Sequence, residues 1–174
     1  MEDVFQKLIL MIRAYYPVLY LHSYEYYRTK QKIKGIVELL RREGKKVNYY
    51  QWDCVYGLVQ ILPDKTEKRI ERMQNPLEVL AYILNSKKSG EKNIFVLDDI
   101  NNHIERDEVK LMFRKIAEAT NNNTHAIILS SIYRLPAELE KYITVLQIPL
   151  PKRNELGEVL DIVAKQSKVE LKTN

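Results

Sequence analysis

The sequence predicts an α/β protein with a doubly wound, mostly parallel five-stranded sheet and helices on both faces. Three observations support this class. Short apolar runs alternate with longer segments whose apolar residues recur at helical spacing. Most of the short runs are continuous rather than alternating, which is typical of strands that are covered on both faces. The chain has 174 residues, 45% of them hydrophobic, which suffices for one domain with a full core.

A helix and a strand are expected first. Apolar side chains recur at helical spacing over residues 3–15, and Pro17 ends that helix. Residues 18–22 form the first predicted strand, because they are a short apolar run. Ser23 is the expected N-cap of the second helix, and Gly44 is its expected C-terminal cap.

The middle of the chain continues the alternation. Residues 47–53 give the second strand. Residues 54–72 contain glycine, proline and a charged stretch, so we expect a turn and a loop there. The pair Asn75-Pro76 is a strong helix start, with an N-cap followed by proline at the first helical position. Residues 93–99 form an apolar strand that ends in two carboxylates.

The last third repeats the pattern. A helix of about four turns is expected after residue 99, because apolar residues recur at helical spacing there. Residues 126–131 and 144–148 give the fourth and fifth strands, separated by a short helix over 135–142. A final helix is expected over 154–166. No repeat and no low-complexity linker interrupts the chain, so residues 1–174 are predicted to be a single domain.

Composition narrows the functional classes. The formal net charge is +5 and the pI is about 9.1, which permits acidic partners without requiring them. No run of about 20 apolar residues occurs, so no membrane association is expected. The N-terminus is acidic and amphipathic, unlike a secretory signal. Cys54 is the only cysteine, which excludes an internal disulfide and a cysteine zinc cluster. A cytoplasmic protein, or one of the equivalent organelle stroma, is the expectation.

Residues that follow the strands are the first place to look for chemistry, because ligands of open parallel sheets bind at the carboxyl ends of the strands. Asp98 and Asp99 follow an apolar strand, as in a Walker B segment, where one acid helps to hold magnesium and the next polarises a water. Ser130 and Ser131 end the next strand, where a hydroxyl can contact a γ-phosphate. Structural roles, as acids that cap a helix and hydroxyls that satisfy a turn, remain open for all four residues.

The junction after the first strand does not suit phosphate. A phosphate cradle needs inward-turned backbone N–H groups, usually supplied by glycine, and a cationic side chain. Residues 22–27 supply three tyrosines and Glu25 instead, and no G-x-x-x-x-G-K-[ST] motif occurs in the chain. The predicted fold is therefore that of a P-loop nucleoside triphosphatase without the P-loop. We expect no catalytic residue and no bound cofactor in this domain. No metal site is expected either, since the three histidines lie on three different connections.

A basic segment raises a second kind of function. Eight basic residues lie between positions 28 and 46 against two acids. Arg28, Lys30, Lys32 and Lys34, with the tyrosines before them, could form a nucleic-acid face that combines charge with stacking. The alternative, a solvated helix face, is the more common meaning of such a segment, and a nucleic-acid partner is not favoured.

The order of the motifs resembles the N-terminal domain of the two-part AAA ATPases of the "hypothetical chloroplast open reading frame" (ycf) class. Four segments carry the likeness, and the last is the most specific: RAYYPVLYLHSYE; YYQWDCVYGL; NPLEVLAYIL with NIFVLDDINNHI; and AIILSSIYRLPAELEKYITVLQIPLPKRNEL. The resemblance implies a degenerate RecA/AAA-like domain followed by a catalytic AAA domain that carries the P-loop. It gives Asp98 and Asp99 the Walker B-like place and Ser130 or Ser131 the sensor-like place.

The leading hypothesis is a non-catalytic ATPase-like domain that serves assembly, regulation or partner binding. Its partners would be the adjoining AAA domain or other protein subunits, and ATP and Mg²⁺ would be bound only by that adjoining domain. The N-terminal helix, with Phe5, Leu8 and Ile12, and the final helix are the expected contact elements. One alternative is an ATP-dependent enzyme whose atypical phosphate site uses Arg28 or Lys30. The other is a nucleic-acid-binding module that uses the basic 28–46 face.

Overall fold

The computed structural model describes residues 2–70, 73–86, 91–119 and 123–150. Four α-helices occur in these residues: α1 (Glu2–Arg13), α2 (Tyr26–Arg42), α3 (Pro76–Ser86) and α4 (Asp107–Glu118). Seven strands occur there as well: β1 (Val18–His22), β2 (Val47–Asp53), β3 (Gly57–Ile61), β4 (Glu67–Arg69), β5 (Lys92–Asp98), β6 (Thr124–Ser130) and β7 (Thr144–Gln147). None of the helices in the described ranges is long and apolar enough to cross a membrane.

The strands form one sheet in the order β4-β3-β2-β5-β6-β1-β7. The five strands β2, β5, β6, β1 and β7 are parallel to their neighbours within that group. Strand β3 runs antiparallel to β2, and β4 runs antiparallel to β3. The predicted fold class, with five parallel strands, is therefore confirmed, and an antiparallel extension is added at one edge.

Helices cover both faces of the sheet, and each face has its own apolar cluster. Helices α1 and α2 pack on one face, where they bury Leu8, Ile33 and their neighbours against alternate residues of the central strands. Helices α3 and α4 pack on the other face, around Leu80 and Phe113. Because each central strand is buried on both sides, its sequence is a continuous apolar run, as in Val18–Leu21.

The segment 54–72, expected to be a turn and a loop, contains the hairpin β3–β4. The Asp53 carboxylate accepts from the N–H groups of Val55 and Tyr56 at 2.8 and 2.7 Å, which closes the turn between β2 and β3. Gly57 has a φ of 77°, which favours glycine. Strand β4 has three exposed side chains and no apolar pattern, since its pairing with β3 rests on backbone hydrogen bonds.

Helix boundaries differ from the prediction in three places. Ser23 does not cap α2, because its buried Oγ bonds to Thr29 Oγ1 at 2.8 Å and the helix begins at Tyr26. The short helix predicted over 135–142 is a 3-10 turn, Ala137–Leu139. Helix α4 has 12 residues and follows a separate 3-10 turn, Ile100–His103, instead of one helix of four turns. The helix predicted over 154–166 lies outside the described residues.

The apolar face of α1 is not a free contact surface. Phe5, Leu8 and Ile12 are 7%, 0% and 0% exposed and belong to the core cluster on that face of the sheet. The expectation that this face binds a partner is therefore wrong, because its helical periodicity reflects packing on the domain's own sheet.

Candidate functional site at the carboxyl edge of the sheet

The sheet order brings the predicted strand-end residues together. Strand β6 lies between β1 and β5, with His22 opposite Ser130 and Asp98 opposite Leu129. The acids after β5, the serines after β6 and the connection from β1 to α2 therefore share one edge of the sheet. The sequence predicts this proximity for any parallel sheet, but it does not predict which strands are neighbours.

Asp98 is held by a lysine from α2. Lys30 Nζ forms an ion pair with Asp98 Oδ2, and the two side chains are 24% and 16% exposed. Burial raises the pKa of the Asp98 carboxyl above its ordinary value, although Lys30 acts in the opposite direction. Within the described part of the chain, Asp98 Oδ1 is buried without a hydrogen-bond partner. The acid in the Walker B-like position therefore has an internal cation as its counter-ion.

A tyrosine from the start of α2 connects the remaining strand-end groups. Tyr26 OH donates to Asp99 Oδ1 at 2.5 Å and accepts from the N–H of Ser131 at 3.0 Å. Ser130 Oγ donates to the same Asp99 oxygen at 2.8 Å and accepts from the N–H of Ile132 at 3.2 Å. Burial, and then the hydrogen bond to Asp99, raise the pKa of the Tyr26 phenol. Asp99 itself has a φ of 52°, an uncommon value outside glycine.

The connection between β1 and α2 does not fit a nucleoside triphosphate. It consists of only three residues, Ser23–Glu25, and contains no glycine. The N–H groups of Ser23 and Glu25 donate to Ser130 O at 2.9 Å and to Ser23 Oγ at 3.2 Å. Glu25 forms an ion pair with Arg28 at 2.5 Å. A phosphate here would meet a carboxylate and N–H groups that already have acceptors.

His22 ties β1 to the segments after two neighbouring strands. Its Nε2 donates to Ser131 O at 2.9 Å, and its Nδ1 lies 2.6 Å from Gln147 Oε1. The rings of Tyr24 and Tyr133 lie 5.4 and 6.3 Å from the imidazole, centroid to centroid. These contacts make His22 a structural link, with an exposed aromatic surface beside it.

Tyr26, and Lys30 as the partner of Asp98, were not predicted for this network. The signal that could have found them is periodicity, since Tyr26 and Lys30 extend the buried face of α2 that contains Ile33 and Val37. Asn101 was also missed: it is buried, and its Nδ2 donates to Ile132 O at 2.8 Å. No sequence pattern distinguishes that asparagine from its exposed neighbour.

The four basic residues of the predicted nucleic-acid face do not share one surface. Positions two apart on a helix lie about 200° apart, so Arg28 and Lys32 lie on one side and Lys30 and Lys34 on the other. Arg28 also donates to Pro149 O at 3.2 Å. Among the residues that the structure describes, no group of three or more His, Cys, Asp or Glu side chains is placed to hold a metal ion.

The parallel sheet, with acids and serines at its carboxyl edge, has the fold of an AAA-type P-loop ATPase. The connection Ser23–Glu25 stands where the phosphate loop of that class would lie. The chain belongs to the family described as "SpoVK-like AAA ATPase, N-terminal domain", whose model matches residues 4–148. This family, together with the ycf46 relatives described below, confirms the predicted resemblance to the N-terminal domain of ycf-class AAA ATPases. In structure, the chain is similar to the Aeropyrum pernix ORC2 protein, with a TM-score of 0.57 and 12% identity over 94% of this chain and 50% of that one. That likeness shows the fold alone.

Two curated relatives are AAA domain-containing proteins named ycf46. The Guillardia theta protein is 28% identical over 153 residues, which is 87% of this chain and 28% of that protein. The Trieres chinensis protein is 28% identical over 155 residues, which is 88% of this chain and 29% of that protein. The chain thus spans less than a third of the length of these relatives.

Proposed function

We propose that this chain is a non-catalytic ATPase-like domain that serves assembly, regulation or partner binding beside a catalytic AAA domain. The observation that carries the proposal is the occupation of the strand-end site by the domain's own side chains. A magnesium ion would have to displace the Lys30 ammonium from Asp98. A γ-phosphate would have to displace the Tyr26 hydroxyl from Asp99 and from the N–H of Ser131.

The family supports the second half of the proposal. The relatives are AAA domain-containing proteins of which the region similar to this chain makes up 28% and 29%. Residues 1–174 would then be the N-terminal domain of a longer AAA ATPase, and ATP and Mg²⁺ would be bound by the adjoining AAA domain. A location in the cytoplasm or the organelle stroma stays a prediction.

An exposed apolar surface supports protein contact at the same edge. Tyr24, Tyr27, Ile132 and Tyr133 follow β1 and β6 and are 62%, 78%, 53% and 50% exposed. Contiguous exposed aromatic residues are typical of protein interfaces. The adjoining AAA domain, or another subunit, would therefore contact the edge at which a working ATPase binds nucleotide.

Calorimetry with Mg-ATP tests the non-catalytic assignment. We expect no saturable, Mg²⁺-dependent heat when ATP is titrated into the protein up to millimolar concentration. Asp98→Ala should leave that result unchanged, and Lys32→Met provides a control for general charge effects. The proposal fails if ATP binds at micromolar concentration with Mg²⁺ and Asp98→Ala abolishes the binding.

The rival hypothesis of an active enzyme requires a cation that reaches the phosphate position. Lys30 contacts Asp98 instead, and Arg28 contacts Glu25 and Pro149 O. These contacts favour the non-catalytic assignment. A hydrolysis assay at high enzyme concentration separates the two, because an active enzyme should turn over at about 1 per second or faster.

A further inference from the structure

A cleft of about 660 Å³ lies at the opposite, amino edge of the sheet. It lies between the C-terminal ends of α1 and α2 and the starts of β5 and β6. Its lining includes Arg13, Tyr15, Lys45, Lys46 and Lys92 together with two glutamates. We call it the amino-edge cleft. Its volume falls within the usual range of about 300–1,000 Å³ for small-molecule sites.

Lys92 is half-buried in this cleft and has only neutral partners. Its Nζ donates to Ile12 O at 3.3 Å and to His125 Nε2 at 3.0 Å, and it lies 5.0 Å from the centroid of the Tyr15 ring. His125 is fully buried and donates from Nδ1 to Tyr16 O at 2.7 Å, which leaves Nε2 as an acceptor. A carbonyl, an imidazole and a ring orient the ammonium without neutralising its charge.

Two further lysines add positive charge without a counter-ion. In the described ranges, Lys45, Lys46 and Lys92 form no ion pair. Burial lowers the pKa of Lys92, and the nearby charge of Lys45 lowers it further. Of the two glutamates of the lining, only Glu43 is paired with a cation of the described residues.

The two glutamates differ in their partners. Glu43 forms an ion pair with Arg13 at 2.5 Å, whereas Glu91 Oε2 accepts from the neutral amide of Asn48 at 2.9 Å, which does not neutralise its charge. The helix ends add little negative potential, because backbone N–H groups after α2 cap its last carbonyls, with Lys45 N donating to Leu40 O at 3.1 Å. Within the part of the chain that the structure describes, three lysines therefore face one uncompensated carboxylate, and this excess of positive charge favours an anion.

Tyr15 places an aromatic ring at the cleft. It is the left-handed residue of the cap that ends α1, with a φ of 63° and with Tyr16 N donating to Met11 O at 3.0 Å. Its ring is 49% exposed at the rim of the cleft. An exposed ring beside unpaired cations suits a nucleobase next to a phosphate.

We propose that the amino-edge cleft binds a nucleotide unit, with its phosphate among the ammonium groups of Lys45, Lys46 and Lys92 and its base against the Tyr15 ring. The nucleotide comes either free or as part of a single strand, and the chemistry of the contact is the same. The cleft lies at the opposite edge from the Asp98 site, so the proposal is independent of the proposed function.

Titrations in EDTA-containing buffer at about 50 mM KCl test the proposal. The probes are inorganic phosphate, AMP and a fluorescein-labelled oligothymidylate of eight nucleotides. We expect Lys45→Met and Lys46→Met each to weaken binding about tenfold, the usual effect of one charge-assisted contact. For the strand, each variant should also reduce the slope of log affinity against log salt by about 0.7.

Lys115→Met is the matched control, because Lys115 is an exposed lysine of α4 outside both the cleft and the basic 28–46 segment. It should change binding less than twofold. Binding by Lys92→Met is interpreted only if its melting curve matches that of the wild type, because Lys92 is half-buried. Lys45 and Lys46 are exposed, so their substitutions test the site without disturbing the core. Tyr15→Ser should weaken AMP or the strand more than inorganic phosphate.

The titrations with AMP and with the oligonucleotide distinguish a free nucleotide from a nucleotide that is part of a single strand. Binding of AMP and of the strand with similar dependence on Lys45 and Lys46 indicates a free nucleotide, and binding of the strand alone indicates nucleic acid. The proposal is overturned if no probe binds below about 1 mM, or if Lys115→Met weakens binding as much as Lys46→Met. Because magnesium is absent, binding seen here would not count against a non-catalytic Asp98 site.

Discussion

Removing one hydroxyl group from Tyr26 tests the self-occupied site most directly. Tyr26→Phe eliminates the bond to the Asp99 carboxylate and leaves the N–H of Ser131 without its acceptor. A hydrogen bond to a charged group contributes about 1.5–3 kcal/mol, and an unpaired N–H in a buried position costs about 1–3 kcal/mol. Tyr26 is only half-buried, so water can replace part of each of these two hydrogen bonds. We therefore expect Tyr26→Phe to lower the free energy of unfolding by about 2 kcal/mol.

Urea denaturation followed by the fluorescence of Trp52, the only tryptophan and a buried one, measures the free energy of unfolding. For a chain of this size, 2 kcal/mol corresponds to a decrease in melting temperature of about 4–8 °C. Tyr27→Phe makes the same chemical change at a residue that is 78% exposed, and it should stay within about 0.5 kcal/mol of the wild type. Equal effects of the two substitutions would refute the account of the strand-end network.

Three other predictions concern the pH dependence, the glycines and the cysteine. Burial raises the pKa of Asp98 above 3.8, so the native state holds this proton more tightly than the unfolded state. The free energy of unfolding of the wild type, relative to that of Asp98→Asn, should therefore fall as the pH rises from about 4 through that raised pKa, and stay constant above it. Denaturation curves at several pH values measure this difference. An increase of the difference over the same pH range would contradict the prediction. Gly35→Ala lies inside α2, where no atom is within 4 Å of the new Cβ, and it should stabilise the protein by about 0.5–1 kcal/mol. Gly57→Ala should destabilise the protein by about 1–2 kcal/mol, because Gly57 has a φ of +77° and the new Cβ would lie 3.2 Å from the Met73 backbone. Cys54 is exposed, so a thiol reagent should modify it in the native protein at close to the rate seen in urea; slow modification would show that the turn after β2 is covered.

The central part of the fold is predictable from the sequence because it depends on local patterns. In the strand Lys92–Asp98, the four residues 94–97 are all apolar and all fully buried, a pattern typical of a sheet covered on both faces. The hairpin was missed for the opposite reason. Strand β4 (Glu67–Arg69) has no apolar residue, so its pairing is decided by the position of β3 and not by its own sequence.

The candidate site is predictable only in part. That Asp98 and Ser130 lie at one edge follows from their positions at the ends of parallel strands. That Lys30 pairs with Asp98 does not follow, because the contact requires that only β6 separate β1 from β5, and the two residues are 68 positions apart in the chain. The basic segment shows the same limit, since charge counts along the chain do not say that Lys45 and Lys46 line a cleft with Lys92.

The place of β1 in the sheet has a consequence for how the chain acquires its structure. This strand pairs only with β6 and β7, and its first residue, Val18, lies opposite Ala126. During synthesis, the first strand therefore has no backbone partner until nearly the whole domain has been made, and its apolar residues stay exposed for that time. Such distant pairing slows folding and favours aggregation, so a fragment that stops before residue 124 should collect in inclusion bodies or require a chaperone.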